Sequence, residues 1–330
     1  MAAYTTIDDP EAYFQVELYT GDGSGQSPTF DGDTDMQPDL VWIKSRNSAS
    51  YNHMVFDSVR GATKYIKTDN SIAEGTNANM LTAFGSDGFT VGSDVDVNNN
   101  TTTYVAWCWK ESATAGFDIV SYTGNATNRT ISHSLSAVPK MMVTKNREET
   151  DSWRVYHEGM GNTKVMYLNI TEASETLTTA WNSTTPTSSV FTVGTDNGTN
   201  RDGDGMIAYL FSEVQGFSKF GSYTGNGNAS GTFVFCGFRP AYVLAKRTNS
   251  ASGWVLFDNK REPFNLADTS IRADDGGAEN ESNGALDLLS NGFKWITTDS
   301  GVNGSGDSYV FMAFAEAPFV NSNGVPCNAR

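Results

Sequence analysis

The chain contains three copies of one pattern, and this repetition constrains the fold more than any other feature. The segment "SYTGN" occurs at 121–125 and again at 222–226, and "LYTGD" stands at 18–22. Three prolines, each shortly before an apolar run that ends in lysine, are spaced 101 residues apart: Pro38, Pro139 and Pro240. A constant period over three copies is typical of repeat architectures. We therefore expect three modules of similar structure.

Other landmarks keep the same order in every copy. The segments "GFTVG", "VFTVG" and "GFKWI" are followed by the apolar runs "YVAWCW", "MIAYLF" and "YVFMAF". They place the modules at residues 13–112, 117–214 and 217–317, with an N-terminal leader at 1–12 and a C-terminal tail at 318–330. Because only a few residues join consecutive modules, we expect a rigid arrangement, either linear or closed into a triangle.

Composition within each module favours strands. Short runs of β-branched and aromatic residues alternate with clusters of Gly, Asn, Asp, Ser and Pro, and the aromatic content of 12% argues against disorder. The segments "NANMLTAF", "TTAWN" and "GALDLLS" predict one short helix each. The predicted fold class is all-β: three tandem antiparallel β-sandwich or jelly-roll-like modules with one short helix each. The glycine of each "YTG" is expected to adopt a left-handed conformation at a strand end.

The charge of the chain restricts its partners. A formal net charge of -16 disfavours binding to nucleic acid or to an anionic membrane. The N-terminus lacks the basic and apolar regions of a signal peptide, and no apolar run is long enough to span a bilayer. Three cysteines form no metal-ligand or redox pair, and Cys108, inside an aromatic run, is expected to be a small core residue. We expect synthesis in a cytoplasm, with no membrane and no nucleic-acid partner.

Polar residues that recur in all three copies are interpreted as structural, because an active site needs only one good copy. One set is expected to point outward from exposed strands or to guard a sheet edge: Lys44, Lys145 and Lys246. A second set is expected to cap or hydrogen-bond the joints between modules: Glu111, Glu213 and Glu316. His157 replaces the equivalent Asp57 and Asp258, and we expect a polar surface substitution.

No catalytic or cofactor-binding residue is predicted, since the zinc, nucleophile-elbow and phosphate-loop motifs are missing. Two acidic loops are candidates for calcium, whose hard cation prefers carboxylate oxygens. They contain Asp31, Asp33, Asp35, Asp202 and Asp204. The first loop departs from the calcium pattern at its sixth and twelfth positions, so solvated turns are the favoured interpretation of both loops and calcium is the alternative.

Tryptophans offer a glycan-binding alternative. Trp153, Trp254 and Trp295 are candidates for stacking on sugar rings, although recurring aromatic residues more often belong to a core. Trp153 and Trp254 occupy equivalent positions, and His53 takes that position in the first module. Because a core position is expected to remain apolar, this difference leaves a surface role for the two tryptophans open as the alternative to a core position.

The motifs "SYTGN", "VFTVG", "YVAWCWK" and "EVQGFSKFGSYTGNG" give the chain a resemblance to known proteins. Over nearly its whole length it resembles the tandem-repeat virion structural proteins of tailed bacteriophages, especially those of marine bacteria. The resemblance implies a non-enzymatic virion protein that is made in the bacterial cytoplasm and present as an oligomer or in many copies. Its implied partners are other virion proteins, either the major capsid protein or tail proteins.

Two positions on the virion are compatible with this resemblance. A capsid decoration (cement) protein would reinforce the particle exterior, whereas a tail-fibre or tail-tip adhesin would bind a host surface glycan. The sequence has no heptads and no collagen-like segment that would form a fibre shaft. This favours decoration, with the adhesin as the alternative and a glycan depolymerase as a third possibility.

Overall fold

Antiparallel strands form nearly all the regular structure of the three repeats. The computed structural model describes residues 3–281 and 284–327. Each repeat forms one large sheet and one small sheet that packs against it. The predicted all-β sandwich class is confirmed. The first two residues of the predicted leader and the last three of the predicted tail lie outside the described residues.

The first repeat has eight strands and one helix: β1 (Phe14–Thr20), β2 (Leu40–Ser45), β3 (Met54–Asp57), β4 (Lys64–Lys67), β5 (Gly75–Thr76), β6 (Leu81–Gly85), β7 (Gly88–Val91), α1 (Val95–Asn98) and β8 (Thr103–Trp109). The large sheet has the order β1-β8-β2-β3-β4-β5. Strands β6 and β7 form the small sheet. The first and last strands of the repeat are therefore neighbours.

The second repeat has the same plan: β9 (Phe117–Thr123), β10 (Arg129–Ser132), β11 (Pro139–Asn146), β12 (Arg154–His157), β13 (Lys164–Tyr167), β14 (Glu175–Thr176), α2 (Thr178–Trp181), β15 (Val190–Val193), α3 (Asn197–Asn200) and β16 (Gly205–Ser212). Its large sheet has the order β14-β13-β12-β11-β16-β9, and β10 pairs with β15 in the small sheet.

The third repeat has the elements β17 (Ser218–Thr224), β18 (Phe233–Phe235), β19 (Phe238–Arg247), β20 (Trp254–Asp258), β21 (Ile271–Arg272), β22 (Leu286–Leu289), β23 (Gly292–Trp295), α4 (Ser300–Asn303) and β24 (Ser308–Pro318). Its large sheet has the order β17-β24-β19-β20-β21, and its small sheet has the order β18-β23-β22. Short 3-10 helices lie at Pro10–Ala12 and Glu158–Met160.

The last strand of each repeat lies inside its large sheet and is buried on both faces, which explains its continuous apolar run. Along β8, Tyr104, Ala106 and Cys108 face the small sheet of the first repeat. The alternate residues Trp107 and Trp109 enter a central core that all three repeats share. The expectation for Cys108 is confirmed. Strands β16 and β24 alternate in the same way between their own sandwich core and the central core.

The three repeats are closed into a ring around this central core. Equivalent side chains from the last strand of each large sheet meet there: Trp109, Phe211 and Phe314. The ring centroids of Trp109 and Phe314 are 5.7 Å apart, and those of Phe211 and Phe314 are 6.1 Å apart. Full burial of an aromatic side chain contributes about 1.5–3 kcal/mol. The repeats are thus lobes of one body, and of the two predicted arrangements the structure has the triangle.

The helix that recurs in all three repeats is not where the sequence predicted it. Of the predicted segments, only "TTAWN" forms a helix, α2, whereas "NANMLTAF" contributes β6 and "GALDLLS" contributes β22. In both cases, strand pairing overrides helix propensity, for example between Leu81 and Val91 and between Leu286 and Trp295. The recurring helices α1, α3 and α4 instead follow β7, β15 and β23.

The two ends of the chain meet. The amide N–H of Ser322 donates to the Asp8 carboxylate at 2.6 Å, and the Tyr4 hydroxyl donates to the Gly237 carbonyl at 2.8 Å. Ile7 is part of the central core, so the described part of the leader is packed against the ring. Among the described residues, no helix has the length and apolar character needed to cross a membrane.

Candidate functional site

The repeated Tyr-Thr-Gly motif holds the one-turn helix of its own repeat. In each copy the tyrosine hydroxyl donates to a carbonyl of that helix, at 2.6–2.7 Å. The pairs are Tyr19 with Val97, Tyr122 with Thr199, and Tyr223 with Val302. Tyr223 is buried and Tyr19 and Tyr122 are partly buried, so a hydrogen bond to the helix satisfies a group that would otherwise be costly to bury.

Each of these helices ends at an asparagine that is fully buried: Asn98, Asn200 and Asn303. Its Oδ1 accepts the backbone N–H of the residue after the motif glycine, namely Asp22, Asn125 or Asn226, at 2.9–3.0 Å. Its Nδ2 donates to carbonyl groups on the opposite side, including those of Gly92, Gly194 and Thr297. These asparagines were not predicted from the sequence, although "DVDVN", "DNGTN" and "DSGVN" recur at the repeat spacing.

The motif glycines are required by close packing and not by a left-handed backbone. Gly21, Gly124 and Gly225 do not have positive φ angles. A Cβ at these positions would lie 2.1, 1.9 and 2.3 Å from the carbonyl oxygens of Asn99, Arg201 and Gly304, respectively. The predicted reason for the glycine is therefore wrong. The motif repeats because tyrosine, glycine and the following residue together position one helix.

The three recurring lysines are buried, so the expectation of outward or edge-guarding residues is wrong. Lys44, Lys145 and Lys246 have 0% exposure, and their ammonium groups donate to backbone carbonyls. Burial lowers the pKa of each to about 8. Lys246 reaches the Thr171 and Glu172 carbonyls at 2.9 and 2.8 Å and so links the third repeat to the second.

A ring N–H donates across each boundary of the closed ring. Trp153 Nε1 donates to the Lys67 carbonyl, and Trp254 Nε1 donates to the Tyr167 carbonyl, both at 2.8 Å. His53 contacts the Arg272 carbonyl through Nε2 at 3.0 Å. Because His53 Nδ1 accepts from the Trp42 indole, Nε2 carries the hydrogen and donates. The second repeat thus binds the first, the third binds the second, and the first binds the third.

This contact explains the Trp/His difference and corrects the glycan-stacking prediction. His53, Trp153 and Trp254 share a ring N–H that donates to a carbonyl of the adjacent repeat. The shared property of this position is the buried donor and not apolar character. Trp153 and Trp254 are 1% exposed, and Trp295 is also buried. Neither face of these indoles is open to a sugar from solution, so the prediction is wrong for all three.

A second contact accompanies each boundary. Arg147 binds Glu74 through two hydrogen bonds of 2.9 and 3.0 Å, and Arg46 binds Glu279 in the same way at 2.9 and 3.1 Å. In both cases, the glutamate N–H also donates to the arginine carbonyl. At the third boundary, the Ser174 N–H donates to the Thr248 carbonyl at 2.9 Å. The boundary between the second and third repeats thus keeps the backbone hydrogen bond but has no arginine–glutamate pair at this position.

A third contact joins a buried acid to the last strand of the adjacent repeat. The Tyr209 hydroxyl donates to Asp57 at 2.6 Å, and Trp107 Nε1 donates to Asp258 at 3.0 Å. Each aspartate also binds an arginine three residues later in its own repeat, Arg60 or Arg261, whose side chain is fully buried. A buried carboxylate needs such a partner because desolvation of an unpaired charge is costly.

The remaining boundary replaces all three members of this contact together. Its residues are His157, Met160 and Met312, none of which carries a full charge. His157 Nδ1 accepts the Gly159 N–H, so Nε2 donates to the Phe311 carbonyl at 3.1 Å. Burial lowers the pKa of His157 to about 4, which keeps the ring neutral. The predicted surface position of His157 is wrong, because it lies at the boundary between the second and third repeats.

The recurring glutamates occupy joints in two of three cases. Glu111 Oε1 accepts the N–H of Ile119 on the first strand of the second repeat, at 3.3 Å. Burial and the neighbouring Asp118 raise the pKa of Glu111 to about 7. Glu213 binds Lys219 at 2.7 Å across the next joint. Glu316 instead pairs with Arg239 inside the third repeat, so it does not fit the prediction.

The structure does not assemble the calcium candidates into a site. Asp31 binds the Lys260 ammonium at 2.6 Å, and Asp204 accepts a hydrogen bond from Asn146 and forms an ion pair with Arg201. Asp33, Asp35 and Asp202 are exposed. Within residues 3–281 and 284–327, no three His, Cys, Asp or Glu side chains form a group suited to a metal ion. Asp31 and Asp204 therefore bind different protein groups, and the five carboxylates do not converge on one point.

One cavity lies in the central core and another is lined by residues of the third repeat, and both are small. An apolar cavity of about 40 Å³ in the central core is lined by residues that include Trp42, Trp153 and Met312. A polar cleft of about 140 Å³ is lined by residues that include Arg272 and Asp275. Typical ligand pockets measure about 300–1,000 Å³. Neither cavity has the size expected for a drug-sized ligand.

These contacts define a class of protein: a single-chain ring of three β-sandwich repeats closed by matched boundary contacts. The chain belongs to the DUF7483 family, described as a domain of unknown function, whose model matches residues 9–318. The match ends at the last residue of β24 and therefore covers all three repeats. The comparison with curated proteins gave no match.

Proposed function

We propose that the chain is a non-enzymatic structural protein of a tailed-bacteriophage virion and that it decorates the exterior of the capsid. The closed ring carries this proposal. Three similar lobes around a shared core present three related outer surfaces from one chain. Such a shape suits a position where three similar capsid surfaces meet, since symmetric assemblies repeat the same patch around an axis.

The use of the recurring polar residues supports a structural role. The motif tyrosines, the terminal helix asparagines and the buried lysines all form hydrogen bonds that hold loops or helices. The boundary residues form hydrogen bonds and ion pairs that close the ring. Residues that already have structural partners and are inaccessible to solvent are poor candidates for catalysis or for binding a dissolved ligand.

The proposed partner is the major capsid protein, and no cofactor is required. A decoration protein reinforces a shell only if it keeps its own shape when the shell is under load. A core shared by three repeats gives this property, because no lobe can move without disrupting aromatic contacts of the other two. The resemblance of the repeated motifs to tandem-repeat virion proteins is the second support.

The test is immunogold labelling of intact virions that contain this chain, with antibody adsorbed on the purified protein as the control. Even labelling of the head is the expected result. Labelling confined to the tail end would replace decoration by the adhesin alternative, and no labelling would refute a position on the virion surface. Separately, cleavage of a host glycan by the purified protein would refute the non-enzymatic assignment.

A further inference from the structure

The third repeat has an aromatic sheet edge that the other two repeats lack. Strand β18 lies at one end of its small sheet, next to β23 only. Phe233 and Phe235 point outward and are 45% and 58% exposed, whereas Val234 between them is buried. We call the three residues Phe233–Phe235 the aromatic edge. It places two large apolar side chains side by side in solvent.

Comparison with the second repeat shows that the fold does not require these phenylalanines. Ile131 pairs with Phe191 on β15 just as Val234 pairs with Phe293 on β23. This alignment places Thr130 at the position of Phe233, and Ser132 at the position of Phe235. Both polar residues are exposed. The aromatic pair is therefore an addition to a sheet that forms without it.

The backbone of the aromatic edge is available for pairing. Trp295 donates its N–H to the Thr232 carbonyl at 3.1 Å, and Cys236 donates its N–H to the Asn291 carbonyl at 2.9 Å. Because hydrogen-bonding positions alternate along an antiparallel strand, Val234 also faces β23. The N–H and C=O groups of Phe233 and Phe235 consequently face away from the sheet. In the part of the chain that the structure describes, no other strand covers them.

Apart from the shortness of the three-residue strand β18, the usual protections against edge pairing are missing here. Exposed edges are normally blunted by proline, charged side chains or a bulge. The sequence "FVF" contains no proline and no charge, and its pairing with β23 is regular. On the two strands next to β18, Lys294 of β23 lies opposite Asp287 of β22, so one positive and one negative charge lie beside the edge.

We propose that β18 pairs antiparallel with β18 of a second copy of this chain, about a two-fold axis at Val234. Phe233 then lies opposite Phe235 of the second copy, and the reverse pair forms by symmetry. Both are hydrogen-bonding positions, so all four outward N–H groups and C=O groups find partners. The phenylalanines form two cross-strand aromatic pairs, which stabilise antiparallel sheets. The result is a continuous six-stranded sheet.

Self-complementarity favours a second copy as the occupant. An identical strand matches the length, register and side chains of this edge without further adjustment. The long-range charge opposes pairing, since each chain carries -16. Added salt screens this repulsion, so dimerisation is expected to strengthen with ionic strength. This inference concerns the isolated protein and does not rest on the proposed virion function.

Sedimentation equilibrium of the full-length protein, over a wide range of concentration and salt, tests the proposal. We expect a monomer–dimer equilibrium whose dissociation constant falls with salt. The double variant F233T/F235S installs the residues of the second repeat, so the fold is retained. It is expected to weaken the dimer by about tenfold or more. Circular dichroism and the melting temperature check that the variant is folded.

A matched control is F264T, which removes a phenylalanine that is 75% exposed in the same repeat but outside β18. It is expected to leave the dimer unchanged. Hydrogen exchange should show slower exchange of the Phe233 and Phe235 amides in the dimer. A monomer at every concentration and salt, a dimer unaffected by F233T/F235S, or a dimer without protection of these amides would overturn the proposal.

Discussion

Tyr209 of the second repeat donates its hydroxyl hydrogen to Asp57 of the first, at 2.6 Å, inside the central region of the ring. The equivalent pair between the first and third repeats is Trp107 and Asp258. Where the third repeat meets the second, Met312 offers no hydrogen to donate, and the acid is replaced by His157. The donor, the acid and its arginine change together because each compensates another in a buried region.

Replacement of Arg60 by methionine tests this compensation. It leaves the buried Asp57 carboxylate without its ion pair and is expected to destabilise folding by about 3–5 kcal/mol. Addition of D57H and Y209M recreates the His-Met-Met set of the other boundary and should recover most of the loss. Urea unfolding of R60M and of the triple variant measures both values. If the triple variant loses at least as much unfolding free energy as R60M alone, the three positions are not coupled.

The boundary N–H donors make a second prediction. W153F removes the donor to the Lys67 carbonyl and leaves that carbonyl buried, so a loss of about 1–3 kcal/mol is expected. W254F should behave similarly at the next boundary. Because the three repeats share the central core, we expect all three to unfold together, in a single calorimetric transition, in W153F and in W254F. A separate transition for one repeat would argue against a single cooperative ring.

The motif glycines should tolerate no side chain. In G124A the added Cβ would overlap the Arg201 carbonyl oxygen, because an ideally placed Cβ lies only 1.9 Å from that oxygen. The helix α3 must then move, with loss of the Tyr122 and Asn200 hydrogen bonds. The control is G25A, where the nearest atom is 3.5 Å from the added Cβ. We expect a strong decrease in melting temperature for G124A and little change for G25A.

The buried lysines predict a pH dependence. The pKa of Lys145 is lowered to about 8, whereas an unfolded lysine titrates near 10.5. Between these values the unfolded state binds more protons, so the lysine makes stability rise with pH across this window. Other groups titrate there too, and the comparison of wild type with K145M isolates the contribution. The free-energy difference between them, from urea unfolding at pH 7 to 10, should change in favour of wild type as pH rises.

The repeat itself was readable from the sequence, because spacing is conserved in the chain even where side chains differ. All-β class and the burial of Cys108 followed from local patterns. Boundary contacts could not be predicted in this way. Lys44, Trp153 and His157 are residue types usually found partly exposed, and only their partners in adjacent elements or repeats explain why they are buried.

Helix positions failed for a related reason. The segment that forms β6 contains good helix formers, but its pairing with β7 decides its structure. The true helices are single turns whose main stabilising contacts come from elsewhere, from Tyr19 and its equivalents. Such short helices have almost no intrinsic propensity signal. The clues in the sequence were the recurrence of an aspartate at their N-cap positions and of an asparagine at their ends.

The contact between Asp8 and Ser322 brings the start and the finish of the chain to the same place on the ring. Each repeat already has its first and last strands side by side, so the same adjacency holds at every joint. A chain joined near Asp8 and Ser322 and opened at one of the joints instead would keep the repeats in the same cyclic order. The order of the repeats along the chain is therefore not fixed by the ring, because each of the three repeats contacts the other two.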